Sequence, residues 1–386
     1  MLNRVKKLTE DLQGELIALS DYIFDNPELG NQEFKACAAH VKLLKKYEFE
    51  VEEEYMGLKT AFKAVYDSNK PGPVIAFLSE YDALPGIGHG CGHNILGATT
   101  TGAGIVLSQI IGDLKGKVVV YGTPAEETNG AKVEMVNKGA FDDVDIALEA
   151  HPGGRHHVSG TSLAMEALQF TFKGQSAHAA AFPEKGINAL DAAINTFVNI
   201  NALRQHILPN ARIHGIIVEG GKAANIVPDL AIAQFYVRAA KKSYLQELVE
   251  KVKNCARGAA LAAGAELEIT NYESSFDDLV TNETLSKAYQ KRILDMGVEK
   301  IHPPRDSGSL DAGNVSHVVP TIHPWFGICG YDLAAHTKEF AEATKTAFAY
   351  ESMRQTVGAL ALTATDVLMD NDLLHKIKEE FKHADK

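Results

Sequence analysis

The chain has 386 residues, 45% of them hydrophobic and 23% charged, with a formal net charge of -12. That length suits two domains or one domain carrying an insertion, and the composition is that of a soluble enzyme able to bury a sizeable core. The acidic balance excludes nucleic acid and anionic membrane as expected partners, since neither offers a counter-surface to a negative protein.

Four scattered cysteines, Cys37, Cys91, Cys255 and Cys329, show no disulfide-framework spacing, so a reducing, cytoplasmic setting is expected. The charged N-terminus runs into an amphipathic helical pattern through Leu12, Leu16, Leu19 and Ile23, which is not a signal peptide. No continuous apolar run approaches the ~18 residues that a membrane span needs. Three short apolar strands follow, at 74–78, 118–121 and 144–148, separated by helical segments. Runs of that kind are buried on both faces and predict a mainly parallel α/β sheet up to about residue 163. Ligands of such sheets bind beyond the carboxyl ends of the strands, where Asp82, the pair Glu126–Glu127 and His151 fall.

The rhythm changes between about 164 and 276. Strands are predicted at 165–172, 213–218, 230–237 and 267–272, with helices at 188–206 and 244–263. This βαββαβ order is that of a split-βαβ, ferredoxin-like α+β unit, complete in itself and inserted into the larger domain. The expected division is therefore 1–163 with 277–386 for a discontinuous catalytic domain, and 164–276 for a lid. Beyond it come a helix near 283–296, a Gly/Ser-rich loop from Ser307 to Asp311, a strand-like stretch around 318–328 and one long C-terminal helix from near Glu339, with His336 in the loop before it.

Cys91, His93, Glu127, His151 and His336 offer five soft-to-borderline ligands, more than one structural zinc uses, and the paired Cys-x-x-Cys or His-x-x-x-His hooks of such a site are missing. Two divalent metal ions in one crevice are the better expectation. Glu126, next to a ligand, is then the natural general base. Each feature has an ordinary reading when taken alone: a Cys and His two apart as core and surface, a Glu-Glu doublet as a solvated face, a strand-end histidine as a loop residue. Their joint placement carries the argument.

The blocks Ser79–Pro85 (SEYDALP), Gly88–Asn94 (GHGCGHN), Thr123–Glu127 (TPAEE), Ala150–Pro152 (AHP) and Gly174–His178 (GQSAH) resemble the M20 metallopeptidase and amidohydrolase family, in the right order over nearly the whole chain. Within that family they are most similar to the branch of aminoacylase-1-like protein 2 and p-aminobenzoyl-glutamate hydrolase. The resemblance implies a zinc-peptidase-like catalytic domain interrupted by a ferredoxin-like lid that mediates homodimerisation. It implies that Cys91, His93, Glu127, His151 and His336 are metal ligands, that Glu126 is the general base, and that Asp82 orients a ligand imidazole. It also implies that His178, on the lid, supports the oxyanion in the site of a partner copy, and that Asn225 and Arg238 bind the substrate carboxylate or the oxyanion. This chain departs from many members at Glu80, where they have a histidine ligand, and at Asn94, where an aspartate is common. The bridging ligand is open on the residues alone. Thiolate ligation favours zinc, with manganese or cobalt as alternatives.

The expected activity is metal-dependent hydrolysis of an amide bond next to a free carboxylate, in an N-acyl amino acid, an aryl-amide of glutamate or a dipeptide. The alternatives are a dipeptidase or carboxypeptidase of the same family, a mechanism with Cys91 as nucleophile, and a catalytically silent binding protein.

Overall fold

The computed structural model describes residues 1–305 and 308–386, so Ser307, the first residue of the Gly/Ser-rich loop, lies outside the described residues. The chain divides into two compact units, one made of Met1–Thr161 and Leu279–Asp385, the other of Ser162–Asp278.

In chain order, the first unit opens with α1 (Leu2–Asp25), α2 (Phe34–Lys46), β1 (Glu50–Glu53), β2 (Phe62–Asp67), β3 (Val74–Ser79), α3 (His93–Ile111), β4 (Lys117–Gly122), α4 (Ala131–Asn137), β5 (Ile146–Leu148) and β6 (His151–Gly153). The inserted unit contains β7 (Ala164–Lys173), α5 (Ala189–Leu203), β8 (Arg212–Glu219), β9 (Leu230–Ala239), α6 (Lys242–Ala263) and β10 (Glu266–Asn271). The chain then returns through α7 (Glu283–Asp295), α8 (Ala312–Ser316), β11 (Thr321–Ile322), β12 (Trp325–Gly327), α9 (Lys338–Ala343), α10 (Ala347–Met369) and α11 (Asn371–His383).

The central sheet of the first unit has the order β1-β2-β4-β3-β5-β11. Its core, β4-β3-β5-β11, is parallel, and β1 and β2 add an antiparallel edge. Alternation along the strands feeds two hydrophobic layers. Ile75, Phe77, Val118 and Val120 pack with residues of α1, α3 and α10 on one face. Ala76, Leu78, Val119 and Tyr121 pack with Met135, Phe141 and Val315 on the other. That double cover explains why the strands read as continuous apolar runs.

Helix α3 qualifies by length and composition as a span, but 94% of its apolar window is buried inside the protein. A search for an unbroken apolar run passes over it because Gly and Thr punctuate it. Those small residues let it lie close to its neighbours: a Cβ on Gly104 would come within 2.4 Å of Val120 Cγ2.

Two C-terminal expectations are corrected. The stretch 318–328 is two short strands, β11 on the central sheet and β12 paired in parallel with β6 in a separate two-stranded sheet. The long helix is broken into α9, α10 and α11. Thr346 caps α10 by accepting from Ala349 N, Asp370 caps α11 by accepting from Asp372 N and Leu373 N, and Thr344, at the first break, is held by Asn94.

The inserted unit is an antiparallel sheet of order β10-β7-β9-β8 with its own core of Phe170, Phe172, Phe235, Leu248 and Val252. Register along β7 and β9 pairs Lys173 with Leu230 at one end and Met165 with Arg238 at the other. The second end is where the chain enters and leaves the unit.

Candidate metal centre

Every catalytic-domain candidate lies beyond the carboxyl end of a strand or at the start of a helix. Gly92 caps α3 with φ 80°, a left-handed conformation that favours glycine, and a Cβ there would come within 2.6 Å of Pro152 Cγ. Cys91 and His93 thus flank a turn that seats them against the residue following His151. After β4, Ala125 also takes a left-handed conformation, φ 62°, although it is fully buried. A non-glycine residue is strained there by about 1–3 kcal/mol, and such strain concentrates at functional sites. Glu33 accepts from Ala125 N at 2.8 Å and from Thr60 Oγ1 at 2.9 Å, tying the turn that carries Glu126 and Glu127. The sequence reading missed Glu33. Its only signal would have been a carboxylate near an apolar helix start.

Asp82 organises two of the candidate ligands at once. Its Oδ1 lies 2.9 Å from His93 Nδ1, and its Oδ2 accepts from Glu127 N at 2.9 Å. The His93 ring therefore spends Nδ1–H on Asp82 and presents Nε2, the arrangement expected of a metal-ligating imidazole. His151 likewise spends Nδ1 on Pro152 O at 2.8 Å, and its Nε2 lies 3.6 Å from Cys91 Sγ. Cys91, His93 and His151 form one group whose ligand atoms lie within 4.8 Å of one another; Cys91, Glu127 and His336 form a second, and Glu80, His93 and Glu126 a third. Cys91 belongs to the first two. His336 reaches the site from an exposed loop, with φ 64° and its N–H on Gly90 O, and its Nε2 lies 3.1 Å from Glu127 Oε1.

The donor set suits divalent cations. Buried His93 Nε2 and Glu127 Oε1 face Glu80 Oε2 at 3.2 Å and His336 Nε2 at 3.1 Å respectively, without well-formed hydrogen bonds among the described residues, so a cation could take up both atoms. Burial opposes charge on His93, but Asp82, Glu80 and Cys91 outweigh it and hold the ring well above its usual pKa. Burial pushes the Cys91 thiol up, against the pull of His93. A thiol so held is a poor free nucleophile, which argues against covalent catalysis by Cys91. Burial, then Glu80, Glu127 and Asp311, raise Glu126 well above the carboxylate range. Burial alone would raise Glu127 as well, but His336 and His93 bring it below.

A further histidine, His323, is buried against the ring of His151 at 5.5 Å and Trp325 at 5.8 Å and enters none of the three groups. Asn94 serves packing: its Nδ2 donates to Ser20 Oγ at 3.0 Å and Thr344 Oγ1 at 3.1 Å. Glu80 is 1% exposed and salt-bridged to the wholly buried Lys132, which also binds Asp311. Neither Lys132 nor Asp311 stands out as a site residue in the sequence, because nothing local marks them.

In the inserted unit, His178 is exposed and its segment pairs with that of Asn225, Ala179 N donating to Asn225 O at 3.0 Å. Arg238 is at the other end of β9, about 26 Å from Leu230 at ~3.3 Å per residue of strand. The first two are brought together, and the third stands apart from them.

Comparison with known proteins agrees with this geometry. Residues 166–263 match the model of a peptidase dimerisation domain of the M20 family. The chain is 37% identical to the Xaa-Arg dipeptidase of Mus musculus over 98% of its own length and 91% of the relative's. It is 27% identical to one of the p-aminobenzoyl-glutamate hydrolase subunits of Escherichia coli strain K12 over 95% and 92%. Its fold matches that of a dinuclear metal-binding M20 peptidase from Bacillus subtilis with a TM-score of 0.68 and 23% identity, covering 93% and 99% of the two chains. With a strand-end donor set in one unit, a ferredoxin-like insertion in the other, and end-to-end similarity at 37% identity, the chain belongs to the M20 family of metal-dependent peptidases and amidohydrolases.

Proposed function

We propose that this protein binds two divalent cations through Cys91, His93, Glu127, His151 and His336 and hydrolyses an amide bond adjacent to a free carboxylate. The observation that carries the reading is the sharing of Cys91 between two groups of candidate ligand atoms, an arrangement that would let neighbouring cations be held in one crevice. Zinc suits the thiolate best, with manganese and cobalt as alternatives. Two cations held there would polarise the scissile carbonyl and make a water acidic enough to attack at neutral pH.

Glu126 takes the proton from that water and returns it to the leaving amine, a role open to a carboxylate next to Glu127 and 4.0 Å from His93 Nε2. Asp82 keeps His93 in the ligating tautomer. His178 donates to the oxyanion of the other copy in a homodimer. What supports a second copy here is the match of residues 166–263, which carry His178, to a peptidase dimerisation domain. Asn225 and Arg238 bind the substrate carboxylate or the oxyanion; because they stand at opposite ends of the inserted sheet, they would serve one substrate only from different copies. The edge strand β8 exposes Ile216, Ile217 and Val218, at 62%, 41% and 52%, an apolar edge suited to pairing with a second copy. Four unpaired cysteines fit a cytoplasmic setting.

The substrate is a small N-acyl amino acid, aryl-amide of glutamate or dipeptide. The similarity to an Xaa-Arg dipeptidase favours the dipeptide among these, and a panel of the three classes assayed on zinc-, manganese- and cobalt-loaded protein decides it. Glu126→Gln tests the mechanism. It should retain both cations and lose ~10²-fold or more in kcat; full turnover with full cation content would remove Glu126 from the role.

A further inference from the structure

Lys132 is a lysine in the first turn of the short helix α4, an unfavourable place for a cation in a helix dipole, and it is wholly buried. Its Nζ donates to Glu80 Oε1 at 2.5 Å and to Asp311 Oδ1 at 2.7 Å, while Asp311 Oδ2 accepts from its backbone N–H at 3.1 Å. Glu149 Oε1 lies 3.8 Å from the same Nζ. Three buried carboxylates around one ammonium are a poor device for stability, since well-packed apolar side chains would serve as well or better. Its geometry is directional instead. With Oε1 committed to Lys132, Glu80 turns Oε2 to within 3.2 Å of His93 Nε2, and among the described residues neither atom has a hydrogen-bond partner. Glu126 Oε2 stands 4.0 Å from the same nitrogen.

We infer that Lys132, anchored by Asp311, is a positioning residue that pins Glu80 so that its second carboxylate oxygen is presented to the cation held by His93. The inference rests on the dinuclear reading above. Lys132 touches neither that cation nor substrate; it acts by fixing the direction and charge of the Glu80 carboxylate. Asp311 supplies the second attachment that stops the lysine chain from swinging with its partner.

The test titrates stripped protein with zinc against a chromophoric chelator, and records the visible spectrum of the cobalt-loaded form. Wild-type, Lys132→Met, Glu80→Gln and the double variant are compared, with Tm measured for each. Lys132→Met should weaken one of the two cations by about tenfold or more, as loss of outer-shell support does, change the cobalt bands, and leave the other cation within about threefold. In the double variant the loss should equal that of Glu80→Gln alone, because a residue acting only through Glu80 adds nothing once that charge is gone. Losses that add, or a folded Lys132→Met with wild-type affinities and spectrum, would overturn the inference. Should Lys132→Met not fold, Asp311→Asn carries the same comparison: weakening of the same cation that vanishes in the Glu80→Gln background supports it, and unchanged affinity overturns it. Wild-type protein that fails to take up two cations would instead defeat the dinuclear reading.

Discussion

Replacing Asp82 by Asn preserves shape and removes one acceptor, and its consequence can be worked from two distances. Asp82 accepts from His93 Nδ1 and from Glu127 N, each at 2.9 Å. An asparagine can serve only one of them with its oxygen. If the oxygen faces His93, the amide Nδ2 meets the Glu127 N–H, donor against donor, and the turn that aims Glu127 is released. If it faces Glu127, Nδ2 meets the ring, and His93 must offer Nδ1 as acceptor and carry its proton on Nε2, the atom the cation needs. Either way one charge-assisted hydrogen bond is lost, worth about 1.5–3 kcal/mol. At about 1.4 kcal/mol per decade this is roughly a 10- to 150-fold loss of cation affinity. Competition with a chromophoric chelator measures it directly, and thermal unfolding of the stripped protein separates lost affinity from lost fold. Asp82→Asn binding both cations with wild-type affinity would refute the assignment of Asp82 as the shared support of His93 and Glu127.

Three further outcomes follow from the same geometry. In stripped protein, burial and then Asp82 push Glu33 up to about 7 from 4.5. A raised folded pKa means that the stabilisation is full below about 4.5 and is lost as pH rises towards 7, a difference of about 3 kcal/mol. Glu33→Gln, which can still accept from Ala125 N, should flatten the dependence of Tm on pH across that window, and an unchanged slope would count against it. Cation uptake at pH 7 should release at least two protons per chain, one from the Cys91 thiol and one from the His93 ring, and Cys91→Ala should remove one. Calorimetry in buffers of different ionisation enthalpy measures this, and release of none would contradict both pKa directions. Hybrid dimers of Glu126→Gln and His178→Ala chains should regain activity at the one site that combines an intact Glu126 with an intact His178 from the other chain, whereas hybrids shown to form but remaining inactive would exclude delivery across the dimer and leave His178 acting within its own chain or structural.

The sequence by itself determined the parts of this protein that depend on periodicity and on punctuation. The doubly buried strands β3, β4 and β5 announce themselves as apolar runs because helices cover both faces. The inserted unit is legible because a βαββαβ order needs only local patterns and closes on itself. Short blocks at strand ends could likewise be read as candidate ligands, since Cys91, His93, Glu127 and His151 each follow a local signal, and the structure brings them together. Tertiary structure alone decided the rest. At the first break of the C-terminal helix, Thr344 is held by Asn94, 250 residues earlier in the chain. The separation of Arg238 from His178 and Asn225 is a matter of strand register. The strain at Ala125 is held by Glu33 across 92 residues. Lys132 finds Glu80 52 residues before it and Asp311 179 residues after it. A buried lysine looks in sequence like any helix-surface lysine, because what distinguishes it is the set of carboxylates that folding brings around it, and no local pattern encodes a contact between residues so far apart.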